Sequence, residues 1–119
     1  MATKTIYVSR ISGSKKIKLR DSDGNDPGND DLTTYVSTGD TVKWELDTDS
    51  GLDSLLGIKK KDDSYQLLKE DPKGSGGIFT GQVVDVSPGK DKKEKYKIGY
   101  KLPNDKNEHW NDPKLQIIN

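Results

Sequence analysis

The sequence predicts an all-β fold, a Greek-key antiparallel β-sandwich in one domain over residues 1–119, and three observations lead there. Apolar residues recur at a period of two in the clearest segments, which is the period of a half-buried strand. Those segments are separated by clusters of glycine, proline, asparagine and aspartate that set turns. The 119 residues suffice for one hydrophobic core and not for two lobes with a cleft between them.

The two clearest strands are "TVKWELD", with Val42, Trp44 and Leu46 on one face, and "EKYKIGYKL", with Tyr96, Ile98, Tyr100 and Leu102 on one face. In chain order the others are Thr5–Ile11, closed by the "SGSK" turn; Lys16–Leu19; Leu32–Val36, before the "STGD" turn; Gly81–Val86, before "SPGKD"; and Lys114–Ile118, after "NDP". Short strands with such turns between them form two packed antiparallel sheets, each burying one side. The middle carries either a short helix at Ser64–Glu70 or two edge strands at Ile58–Lys61 and Tyr65–Leu68, and "DPKGSGG" reads as a flexible loop.

Composition excludes several functions. Apolar residues make up 29% of the chain and charged ones 34%, with 20 Lys and Arg balancing 20 Asp and Glu. No net field then attracts phosphate backbones or anionic membranes, so the expected partner is a protein or a polysaccharide, with no nucleic acid and no membrane. The lysine-rich "GIKKKDD" and "GKDKKEKYK" interleave acids and read as solvated faces. Without cysteine there is no disulfide, thiolate nucleophile or zinc–thiolate site. No run approaches the roughly 20 apolar residues of a membrane span. The opening "MATKTIYVSRI" has no leader pattern, which implies a cytoplasmic protein if Met1 is native and a secreted or periplasmic one if a leader was removed.

His109 is the sole histidine, so an imidazole relay has no second member. No "GxSxG" elbow is present, and "GSGG" at Gly74–Gly77 runs on to Ile78, Phe79 and Thr80 without the lysine of a phosphate loop. The expectation is a noncatalytic binding or structural module, not an enzyme, that acts through loops or edge strands without a redox metal.

Two groups of residues are candidates for a site. In "DSDGNDPGNDD", Asp21, Asp23 and Asn25 share the spacing that opens an EF-hand loop, and Asp30 and Asp31 add carboxylates. Asp26 stands where such a loop needs glycine and Leu32 where it needs glutamate, so two readings stand: a calcium site, or a solvated turn whose acids salt screens. Asp47, Asp49 and Asp53 would share the ion if the two loops met. Trp110, beside His109 in a polar stretch, either plugs the end of the sandwich or presents a flat ring to a ligand. The alternative function built on these groups is a calcium-dependent carbohydrate-binding module that uses the 21–31 loop and Trp110, with Ca2+ as its only cofactor.

"STGDTVKWELD" and "SPGKDKKEKYKIGYKLPNDKNEHWNDPKLQIIN" together are similar to the cupredoxin-like sandwich. Gly39, Asp40, Thr41, Val42 and Trp44 match its "GDTV.W" strand. Pro88, Gly89, Tyr96, Ile98, Tyr100, Leu115 and Ile117 match its proline–glycine turn, "Y.I.Y" strand and final strand. The resemblance implies a cupredoxin-like or immunoglobulin-like architecture. The family's copper site would need a cysteine where Tyr100 and Leu102 stand, and its histidines and methionine reduce here to His109 and Met1, so no copper is expected.

Overall fold

The computed structural model describes residues 2–61 and 65–119. Its strands are β1 (Thr3–Arg10), β2 (Ile17–Asp21), β3 (Thr33–Val36), β4 (Thr41–Leu46), β5 (Ser54–Lys60), β6 (Lys73–Ser75), β7 (Ile78–Gln82), β8 (Lys93–Lys101), β9 (His109–Asn111) and β10 (Lys114–Ile117). They form two sheets, β2-β1-β4-β7-β6 and β3-β10-β8-β5, with β9 also paired to β8. The all-β sandwich that the alternating patterns predict is therefore present.

The sheets are mixed, whereas the expectation was purely antiparallel pairing. β1 runs parallel to β4, Thr3 to Val8 beside Thr41 to Leu46, and β10 runs parallel to β3. The chain leaves the first sheet after β2, makes β3 in the second, and returns as β4 on the far side of β1. Turn residues mark where a chain reverses but not which sheet the next strand joins.

The helix expected at Ser64–Glu70 does not form over residues 65–70, Ser64 itself lying outside the described residues. Leu68 makes only an isolated bridge to Val83, and the amides of Leu67 and Leu68 donate to the Glu94 carboxylate at 2.7 and 3.1 Å. A side chain thus takes the amides that a helix or a sheet ladder would have used. The expected strand at Ile58–Lys61 is the end of the longer β5. The strand expected at Gly81–Val86 starts earlier, as β7, and the "DPKGSGG" loop contributes β6 to a hairpin with it.

The core lies between the sheets. Ile6, Val8, Val42 and Trp44 from one face Tyr96, Ile98, Leu115 and Ile117 from the other, all at 0% exposure. Trp44 and Tyr96 meet edge to face, 5.4 Å between centroids at 72°, and the indole N–H donates to the Tyr96 hydroxyl at 3.1 Å. Burial pushes that hydroxyl well above the ordinary phenol range, so it stays protonated. One pair thus gives the sheets both packing area and a directional bond.

Trp44→Ala is expected to cost about 3–5 kcal/mol through lost packing and the residual cavity. Tyr96→Phe, which keeps the ring but strands the indole N–H, should cost about 1–3 kcal/mol. Urea unfolding of both variants measures this; a Tyr96→Phe midpoint equal to the parent's would show that the bond contributes nothing.

Candidate functional site

The acidic segment folds back along the open edge of β2. Leu19 and Asp21 donate their amides to the carbonyls of Asn29 and Asn25, at 2.9 and 3.0 Å. These bonds occupy backbone groups that an edge strand would otherwise present to another chain. Asp21, 3% exposed, is the hub of the turn. Its carboxylate accepts from the amides of Asp23 and Asn25, the side-chain amide of Asn25, and the hydroxyl of Thr34 on β3 at 2.9 Å. A carboxylate offers about four lone-pair sites, and these donors fill them.

The other residues of the calcium reading point elsewhere. Asp23 pairs with Lys4 at 2.8 Å, and Asp31 approaches Lys114 at 3.5 Å. Asp47, taken with Asp49 and Asp53 as a sharer of the ion, receives a two-point contact from Arg20 at 2.7 and 2.9 Å. That hydrogen-bonded guanidinium holds the Asp47 carboxyl below the ordinary range. Among the described residues, no group of three or more histidine, aspartate or glutamate side chains converges on a point where a metal ion could sit.

His109 and Trp110 are strand residues of β9, not loop residues, and successive strand side chains take opposite faces. His109 stacks on Tyr100 at 5.4 Å and contacts Asp105 through Nε2 at 2.9 Å. The Asn107 amide and then His109 hold the Asp105 carboxyl below its usual range, which pins the 102–108 loop. Trp110 pairs with Gly99 of β8, and its indole lies across the outer face of the sheet. A Cβ on Gly99 would stand 2.5 Å from that ring and one on Gly57 would stand 3.8 Å away, so the two glycines form the bed of the indole. The structure therefore separates the two residues: His109 braces a loop, and Trp110 covers a glycine pair.

Sequence reading did not single out the end of the sandwich where four connections meet. β1 and β4 end together, β5 begins where β8 ends, and β7 begins beside Trp44. The β1–β2 turn, the 47–53 segment, the Gly76–Gly77 turn and the 102–108 loop therefore gather at one end. Their bases are tied. Arg10 donates its amide to the Ser50 carbonyl at 2.7 Å, Asp53 to that of Lys101 at 2.9 Å, and the Tyr100 hydroxyl to that of Lys15 at 2.9 Å. Their tips, including Thr48, Asp49, Gly76 and Asn107, are exposed. Asp49 and Asn104, at φ of 54° and 61°, hold left-handed backbone that favours glycine. The available signal was the recurrence of Gly, Asn and Asp in these connections, which showed turns but not their convergence.

Glu94 was also missed, because its position in "KEKYK" reads as one more surface charge. It is 1% exposed and faces inward on β8. Burial raises its pKa, opposed by the amides of Leu68 and Leu67 and by the charge of Lys60.

No protein-family model matches the sequence, and no curated protein matches it. Among solved structures the chain is similar to a cysteine protease inhibitor from Entamoeba histolytica, at 18% identity, over 98% of this chain and 95% of that one, with a TM-score of 0.42. A likeness at that level carries no argument about this chain.

Asp21→Ala is expected to lower stability by on the order of 1–3 kcal/mol, since it strands buried donors. Asp23→Ala breaks only an exposed pair and should cost below about 1 kcal/mol. With the Asp21 oxygens occupied, millimolar calcium is expected to leave the melting temperature unchanged, and a calcium-specific rise would restore the metal reading. For Glu94 the folded pKa is raised, so its contribution is full below the ordinary glutamate value of 4.5 and is lost as pH rises through the folded value. Glu94→Gln removes that loss. The stability of the variant relative to the parent should therefore grow from acid to neutral pH in paired denaturation curves, and a pH-independent difference would refute the assignment.

Proposed function

We propose that the protein is a noncatalytic binding module that engages a protein partner through the end of the sandwich where the 11–16, 47–53, 76–77 and 102–108 connections meet. The observation that carries this reading is the combination of tied bases and exposed tips at that end. Loops held in place by the scaffold lose little conformational entropy on binding, so more of the contact energy appears as affinity. The β2 edge is already bonded to the acidic segment, which closes that edge to a partner strand. No observation favours the calcium-dependent reading, in which Asp21 would have to give up donors it already holds.

Affinity capture from cell extract tests this with three single variants. Thr48→Arg and Asn107→Arg at the loop tips are each expected to weaken capture of the retained protein by about tenfold or more. Thr3→Arg, at the opposite end of β1, should leave it unchanged. Retention that ignores both tip substitutions, or that Thr3→Arg abolishes, would rule this end out as the contact.

A further inference from the structure

The outer face of the β3-β10-β8-β5 sheet is basic, which the zero net charge of the chain conceals. Tyr96, Ile98 and Tyr100 of β8 turn inward, so Lys93, Lys95, Lys97 and Lys101 turn outward, with Gly99 interrupting the row. At about 3.3 Å per residue, alternate side chains stand roughly 6.6 Å apart. Register sets more lysines directly across from them: Lys59 faces Lys97, and Lys114 faces Lys95. Like charges directly opposed on one face destabilise a strand pair, and nothing in the core requires them.

Nearby acids cancel part of this charge, since Lys61 pairs with Asp112 at 3.1 Å and Lys114 with Asp31 at 3.5 Å. Among the described residues, Lys59, Lys93, Lys97 and Lys101 have no carboxylate within 4.0 Å. Trp110 lies in the gap left by Gly99, with the ammonium groups of Lys59 and Lys97 over its ring at 5.2 and 5.9 Å. An anion placed between these two ammonium groups relieves their repulsion and draws them off the indole, which opens the ring for stacking.

We infer that this face binds an acidic polysaccharide, a polymer of uronic or sulfated sugars. Its anionic groups pair with the lysine row, and one of its pyranose rings stacks on Trp110. Charge complementarity selects an anionic polymer, and the spacing of the aromatic rings favours sugars over single-stranded nucleic acid. Successive bases need successive stacking platforms, whereas Trp110 pairs with Gly99 and the half-exposed Tyr35 with Gln116, so that roughly 20 Å of strand, at about 3.3 Å per residue, separates the two rings. The inference is independent of the loop-end reading, because the surface and the partner both differ.

Heparin and polygalacturonate serve as the sulfated and uronic probes, with neutral dextran and oligothymidine beside them. At low salt, one or both acidic polysaccharides should be retained and should shift the tryptophan emission, a change that fully buried Trp44 would not give and that Trp110→Phe should remove. Retention by only one of the two identifies which anion the face takes. Binding should weaken with salt, fall about tenfold or more in the double variant Lys59→Gln/Lys97→Gln, and persist in Lys18→Gln on the other sheet. The double variant removes opposed like charges, so its melting temperature should stay level or rise, which separates lost binding from lost folding. The inference is overturned if neither polysaccharide binds at low salt, if dextran binds as well as they do, if the double variant binds like the parent, or if oligothymidine binds more tightly than both.

Discussion

The contact between Trp44 and Tyr96 is the constraint on which the rest of the sandwich depends. Each residue lies inside an alternating strand, and the two strands belong to different sheets, so this one pair fixes which face of β4 and which face of β8 look inward. With a period of two, that choice also fixes what looks outward. Gly99, the lysines of β8 and the bed of Trp110 are on the solvent side because Tyr96, Ile98 and Tyr100 are not. A register slip of one residue in β8 would bury lysines and expose tyrosines. The indole–hydroxyl bond opposes such a slip, since its two polar atoms have each other as partners only in the native register.

A chain with so few apolar residues relies on buried carboxylates to organise its connections. Asp21, Asp40 and Glu94 are almost fully buried, and each accepts backbone amides where the chain departs from a sheet ladder. Asp40 takes the amides of Ala2 and Ser37, which holds the start of β1 against the turn before β4. Asp21 joins the first sheet to Thr34 in the second, and Glu94 holds the irregular segment at Leu67 and Leu68. Several convergent donors offset the desolvation of a carboxylate better than a single ion pair would. Acids that look surplus in the sequence are thus parts of the frame.

The two surfaces that emerge differ in chemistry. The loop end mixes neutral and acidic tips with the exposed Lys15, Lys16 and Lys106 on tied connections, while the outer face of the second sheet carries lysines around a tryptophan. A neutral total is the sum of these separated regions, and the sum says nothing about either. The acids that balance the lysines lie largely in connections, some of them committed to cations such as Lys4 and Arg20.

The inward faces of "TVKWELD" and "EKYKIGYKL" were legible in the sequence, because alternation states directly which side chains leave water. The all-β class followed from that, and β1, β2, β3 and β10 fell close to their expected places. The residues 65–70 were not legible, since adjacent leucines fit no period and the acceptor of their amides, Glu94, is remote in the chain. The strand character of Trp110 was hidden as well: β9 is short and polar, and only its pairing with β8 makes it a strand. Sequence by itself determined which faces of the main strands turn inward and where the chain bends, because both depend on neighbours along the chain. Tertiary structure alone decided the parallel pairings, the commitment of Asp21 to Thr34, the indole on its glycines and the placing of Lys59 and Lys114 beside the lysine row of β8, because each joins residues that only folding brings within reach.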